Sequence, residues 1–272
     1  MWSNEMSAIA PEECVKVTTE IIEGRIGKVI FRNASRHHAL NAELLGALED
    51  QLTDLTSKGV PVVILTSGVG EKVWSAGHDL GELEADHDPI AWGKPLERVL
   101  RQVRAYPGVV MAMVSGSVWG GAVDLVMSCD LVVADTTVRF AMTPANIGLP
   151  YSTSGLLRFI NNLPIHILKE MFFCARPLEA EEAERHGVLN RLVQPADVEA
   201  VALQMAREIA TKAPLAIAAV KEQLRILEDV VPVPVDAMER IAELRRAACA
   251  GDDMREGLEA FAQRRSPDFR GR

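Results

Sequence analysis

Hydrophobic residues change their spacing twice along this chain of 272 residues. Near the start, 15–22 and 28–31 carry β-branched and apolar residues on either side of Glu23-Gly24, which predicts a hairpin. From 42 to 57 the period becomes helical, with Leu44, Leu45, Leu48, Leu52 and Leu55 on one face. Three continuous apolar runs follow at 60–66, 109–114 and 131–134, separated by helical patterns at 95–105 and 121–128. Short runs of this kind read as strands buried on both faces, and helices between them imply a covered, parallel sheet. After Gly155 the strand signal fades, and 156–160, 165–173, 180–186, 196–212, 215–227 and 235–249 read as helices. The pattern predicts an α/β part followed by an α-rich part, with no internal repeat or flexible linker.

Composition narrows the function classes. At 48% hydrophobic residues the chain can bury a large core. A net charge of −9 argues against nucleic acid or an anionic membrane as partner, and it requires local cations wherever a polyanion binds. The cysteines, Cys14, Cys129, Cys174 and Cys249, lie far apart without a CxxC, which predicts reduced thiols, a cytoplasmic location and no zinc site. Cys129 and Cys174 have apolar neighbours and read as core filler. Residues 1–11 lack the basic start and apolar run of a signal peptide. The least charged stretch, 107–123, is too Gly- and Ser-rich for a membrane helix.

Two segments carry the chemistry: Trp74-Ser75-Ala76-Gly77-His78-Asp79-Leu80 and Gly116-Ser117-Val118-Trp119-Gly120-Gly121-Ala122-Val123-Asp124-Leu125. Each follows an apolar strand and opens a Gly-rich turn, and the second leads into a helix. Such turns at the ends of neighbouring strands can aim two backbone N–H groups at one oxygen, the geometry of an oxyanion hole.

These segments resemble the paired signatures of the crotonase (enoyl-CoA hydratase/isomerase) superfamily, and the resemblance runs from Lys28-Val29-Ile30-Phe31 to Glu256-Gly257-Leu258-Glu259-Ala260-Phe261. It implies an α/β fold, a spiral of ββα repeats over 1–200 carrying an acyl-CoA site, then a helical trimerisation region over 201–272. It also implies a homotrimer or a hexamer built as a dimer of trimers. Met142-Thr143-Pro144-Ala145-Asn146-Ile147-Gly148-Leu149-Pro150-Tyr151, with both signatures, is similar to the branch that decarboxylates malonyl-CoA thioesters.

The resemblance assigns roles residue by residue. The backbone N–H groups of His78 and Gly121 match the family's oxyanion donors. The His78 side chain either touches the acyl carboxylate or lines the pocket. Thr143 and Tyr151 match positions bordering the substrate carboxylate, although Tyr151 also reads as a core aromatic and Thr143 as a turn hydroxyl. Trp119, Met142 and Leu149 supply walls, or in the case of Trp119 simply packing. CoA is expected along Arg36, His37, His38 and Ala39, and along Ala76, Gly77, Asp79 and Leu80. Arg264 and Arg265 match basic positions that reach the CoA tail, or form a solvated surface pair. The acidic stretch 82–86 reads as an exposed lip over the site.

A departure from the family is as informative. Hydratases hold water between two carboxylates; here the first position is Asp124, and the second is Ala145. Asp124 either faces the pocket or pairs within its helix. The expected activity is decarboxylation of methylmalonyl-CoA, or a close malonyl thioester, to propionyl-CoA and carbon dioxide, with no metal or cofactor. The alternative is another crotonase-type activity, a hydratase or isomerase using Asp124. Noncatalytic acyl-CoA or RNA binding is the third reading, and the acidic balance disfavours RNA.

Overall fold

The structure is a computed structural model and describes residues 15–83, 88, 90–228 and 233–271. The readings of 1–11, of Cys14 and of the acidic stretch beyond Leu83 lie outside these residues.

Among the described residues, ten strands build two sheets: β1 (Lys16–Ile22), β2 (Ile26–Arg32), β3 (Val62–Thr66), β4 (Val73–Ser75), β5 (Val109–Val114), β6 (Ser117–Trp119), β7 (Leu131–Asp135), β8 (Arg139–Ala141), β9 (Leu178–Glu179) and β10 (Arg191–Val193). The described helices are α1 (Ala42–Ser57), α2 (Pro95–Ala105), α3 (Gly121–Met127), α4 (Thr153–Asn162), α5 (Ile165–Cys174), α6 (Ala180–Arg185), α7 (Val198–Ala210), α8 (Pro214–Glu228), α9 (Val235–Ala250) and α10 (Asp252–Ala262).

The larger sheet has the order β1-β2-β3-β5-β7-β10, with β1–β2 an antiparallel hairpin and the remaining pairs parallel. The smaller has the order β4-β6-β8-β9, parallel except for its last pair. The chain visits one sheet and then the other, as β3–β4, β5–β6 and β7–β8, before each helix. This is the expected spiral of ββα repeats.

The apolar pattern explains the layering. β3 and β5 are buried along their whole length because both faces of the larger sheet are covered. The leucine face of α1, together with α2 and α3, packs on one side. On the other, Val198, Ala202, Ala206 and Ala210 of α7 meet Ile26, Val62, Ile64, Met111, Met113 and Val133. Helix α7 therefore packs on the core sheet across residue 200, where the two regions were expected to divide. Asn41 starts α1 by accepting a hydrogen bond from the Leu44 N–H at 2.9 Å, satisfying one of the helix's orphan donors.

Two differences from the sequence reading stand out. The whole smaller sheet, and β10, are strands that the pattern did not announce. Cys174 is exposed at the end of α5 rather than in the core, whereas Cys249 is buried. No helix among the described residues is long and apolar enough to cross a membrane.

Candidate active site

The smaller sheet delivers the functional turns. Strand β4 runs into 76–79, β6 into Gly120-Gly121, and β8 into Thr143. Parallel pairing of β4, β6 and β8 brings their C-terminal ends together beside one cavity of about 840 Å³.

The first turn is pinned to the segment before α1. The Leu40 N–H donates to the Gly77 carbonyl at 2.7 Å, and the Asp79 N–H donates to the Leu40 carbonyl at 3.2 Å. In this parallel bridge, Leu40 engages the groups of residues 77 and 79, so the intervening His78 N–H points away from Leu40. The second turn needs Gly120, whose φ of 50° and ψ of −121° suit only glycine. Gly121 is the first residue of α3, where an N–H has no intrahelical acceptor and the helix dipole favours negative charge. Its Cα lies close to His78: a Cβ added at Gly121 would stand 3.6 Å from the His78 nitrogen. The two candidate donors are thus neighbours at the cavity wall.

Of the residues expected from the sequence, Arg36, His37, Ala39, Ala76, His78, Asp79, Leu80, Trp119, Gly121, Thr143, Leu149, Tyr151 and Arg264 line this cavity. His38 does not. Its backbone turns at φ 56°, its ring is 3% exposed, and its Nδ1 accepts from the Asn33 N–H at 3.2 Å. The imidazole packs inward and braces the loop, which leaves only the main chain of His38 for the expected CoA contact. Gly77 and Met142 are buried behind the wall. Arg265 is also off the wall; its guanidinium pairs with Glu256 at 2.8 Å.

The side chains on the wall divide by how they are engaged. Arg36 Nη1 lies 3.2 Å from Asp79 Oδ1, and the same oxygen accepts the Gly81 N–H at 2.9 Å. The hydroxyl of Thr143 makes no cap bond at the start of its turn, so it is available to a ligand. Trp119 commits its indole N–H to the Ser117 hydroxyl at 2.9 Å. His78 Nδ1 is buried without a hydrogen-bond partner among the described residues. Burial lowers the His78 pKa; nearby Asp79 opposes the shift and Lys94 adds to it, so the ring is neutral at pH 7.

Behind the wall lies a buried ionic cluster that the sequence did not reveal. Arg158 of α4 donates to Asp124 Oδ1 at 2.7 Å and Oδ2 at 2.9 Å, and to the two Glu97 oxygens at 3.0 and 2.9 Å. The Tyr151 hydroxyl donates to Asp124 Oδ2 at 2.9 Å. Asp124, 1% exposed, therefore pairs within the protein instead of facing the pocket. Burial and the Asp124 charge hold the Tyr151 pKa well above the usual phenol range. Burial opposes the Arg158 charge, but its bonds to both carboxylates outweigh that and keep it protonated. A signal for the cluster did exist: Glu97 and Arg158 fall among the apolar positions of amphipathic helices, where a charge requires a partner.

No group of described residues has the make-up of a metal site. The site's assets are two backbone donors, a neutral imidazole, a free hydroxyl and largely apolar walls.

Comparison with known proteins covers nearly the whole chain. A family model described as enoyl-CoA hydratase/isomerase matches residues 22–272. Methylmalonyl-CoA decarboxylase of Escherichia coli K12 is 39% identical over 248 residues, 91% of this chain and 95% of the relative. Carnitinyl-CoA dehydratase of Salmonella arizonae is 34% identical over 212 residues, 77% of this chain and 81% of the relative. A crystal structure of methylmalonyl-CoA decarboxylase complexed with 2S-carboxypropyl CoA superimposes with a TM-score of 0.91 at 38% identity, covering 94% of this chain and 98% of that one.

Proposed function

The chain belongs to the enoyl-CoA hydratase/isomerase family, and on that premise we propose that it is a carboxy-lyase converting methylmalonyl-CoA, or a closely related malonyl-CoA thioester, to propionyl-CoA and carbon dioxide. One observation carries the reading. The His78 and Gly121 N–H groups meet at a cavity whose described wall holds a single carboxylate, Asp79, already engaged by Arg36 and Gly81. Hydration needs carboxylates free to hold and deprotonate water. Asp124 is locked to Arg158 and Tyr151, and Ala145 stands where the family's second acid would be. That speaks against the hydratase alternative, although a carnitinyl-CoA dehydratase is among the relatives.

Decarboxylation asks less of the site. The bond between the α-carbon and the carboxylate breaks, and its electron pair flows into the thioester carbonyl, leaving an enolate and neutral carbon dioxide. The α-carbon then takes a proton and the carbonyl re-forms. The His78 and Gly121 N–H groups stabilise the enolate oxygen, which carries more charge than the ground-state carbonyl; only such a difference lowers the barrier. Thr143 and the walls of Trp119, Leu149 and Tyr151 turn the carboxylate perpendicular to the thioester plane. Tyr151 keeps its proton, so water supplies the one the enolate takes. The thioester is the electron sink, and the reading assigns no cofactor or metal.

CoA runs along the main chain of Ala39, Ala76 and Leu80, with Arg36 and Arg264 as cations for its phosphates against the acidic whole. Exposed apolar side chains on α8 and α9, such as Leu215, Val220, Leu224 and Leu244, support a homotrimer or hexamer with 201–272 as the oligomerising region. Sedimentation as a single 29.7 kDa chain would overturn that assignment. The free thiols of Cys129, Cys174 and Cys249 support a cytoplasmic location.

The reading is tested by incubating the protein with methylmalonyl-CoA in deuterated water, with and without EDTA. The expected product in both is propionyl-CoA carrying one α-deuterium; absence of propionyl-CoA rejects the reading.

A further inference from the structure

The Glu97–Arg158–Asp124–Tyr151 cluster is buried and charged; of its members Tyr151 lines the cavity, and the reading above gives the other three no part. A phenol has one proton to give and lone pairs to accept with, whereas an ionised carboxylate only accepts. Asp124 receives two guanidinium bonds, which hold it as the acceptor. The Tyr151 proton is consequently committed to Asp124, and edge contacts to Phe159 and Phe172, with centroids at 6.0 and 5.2 Å, fix the ring. Glu97 occupies two further guanidinium donors, so the single cation faces two carboxylates and has no spare charge for the cavity.

We propose that Arg158 and Asp124 are positioning residues that set the polarity of the Tyr151 hydroxyl, so that the substrate carboxylate meets no hydrogen-bond donor there. The inference rests on the decarboxylase reading and adds to it the reason this wall suits that reaction. Beyond the one orienting hydroxyl of Thr143, a further donor on the carboxylate would add only binding that is strongest in the ground state and weakens as carbon dioxide forms, raising the barrier. The Arg158–Asp124 pair withholds such a donor while keeping a polar, well-packed wall.

Asp124→Ala removes the acceptor while Arg158 stays paired with Glu97, so the cluster remains charge-balanced and the phenol proton is free to turn outward. A hydrogen bond to a charged group is commonly worth about tenfold in affinity. The probe is 2S-carboxypropyl CoA, which carries the carboxylate, with propyl-CoA as a control that lacks it. The expected result is roughly tenfold tighter binding of 2S-carboxypropyl CoA to Asp124→Ala with propyl-CoA unchanged, and KM and kcat for methylmalonyl-CoA both falling about tenfold. Adding Tyr151→Phe to Asp124→Ala abolishes the tightening.

Equal or weaker binding by a folded Asp124→Ala protein, or tightening that persists without the Tyr151 hydroxyl, would overturn the proposal. Should Asp124→Ala not fold, Tyr151→Phe alone decides. Unchanged affinity for 2S-carboxypropyl CoA supports the proposal, and a loss of about tenfold, the value of a donated bond, overturns it. Failure of the wild type to yield propionyl-CoA is a different outcome, because it rejects the decarboxylase reading while the binding arms still report the polarity.

Discussion

Gly77 lies against the Trp119 carbonyl: a Cβ placed on Gly77 would sit 2.4 Å from that oxygen and 3.2 Å from the Gly121 nitrogen. The turns bearing the two proposed oxyanion donors are therefore in backbone contact, and their spacing depends on a residue without a side chain. The φ of 83° at Gly77 adds a second reason why only glycine serves there.

Gly77→Ala is expected to spread the two turns and move the His78 N–H away from Gly121. Loss of one oxyanion donor costs about 10²–10³ in kcat, so a fall of at least ~100-fold is predicted. Steady-state kinetics on protein that keeps its wild-type circular dichroism spectrum would check this. A fall under tenfold would separate catalysis from this contact.

Thr143 lines the cavity with a hydroxyl that makes no cap bond, and the proposed reaction sets it beside the substrate carboxylate. Thr143→Val, nearly isosteric, is expected to lower kcat/KM about tenfold through lost orientation, and Thr143→Ser to restore most of it. Equal kcat/KM for the threonine and valine proteins would remove Thr143 from the mechanism.

The expectations from sequence divided along physical lines. Helix α1 was legible because five leucines repeat at helical spacing on a face that is wholly buried. β3 and β5 were legible because each is an unbroken apolar run, too short for a helix and suited to a strand covered on both faces. β4, β6 and β8 are three residues each, too short to show a period, so the sheet that aims the site was invisible while its glycine turns were not. The inward turn of His38 depends on a left-handed backbone that no histidine announces. Glu97 and Arg158 stand 61 positions apart, and each alone looks like an ordinary helix charge.

Arg158 bridges those positions at the cost of desolvation, and removing it leaves two buried carboxylates uncompensated. Arg158→Met is predicted to destabilise the fold by about 3–5 kcal/mol in urea unfolding. Arg98→Met, which breaks an exposed pair with Glu49, is predicted to cost under ~1 kcal/mol. Similar losses for the two would show that the buried cluster holds no special place in the fold.

His78 has a pKa below its ordinary 6.5 because burial disfavours its charged form. The unfolded chain therefore binds this proton more readily than the native protein. The contribution to stability is complete above pH 6.5 and is lost as pH falls from there through the lowered folded value. Urea midpoints at pH 7.5 and below 6 are expected to fall less for His78→Gln than for wild type. Identical falls would place the acid sensitivity elsewhere.

The central claim is that two backbone donors and a wall without a free carboxylate favour decarboxylation over hydration. It is tested most directly by giving the protein methylmalonyl-CoA and crotonyl-CoA in equal amounts in one tube and following both by mass spectrometry. The account predicts propionyl-CoA at a rate at least ~100-fold above any 3-hydroxybutyryl-CoA, in keeping with the large cost of lacking an acid–base pair. Hydration of crotonyl-CoA with methylmalonyl-CoA left intact would contradict it.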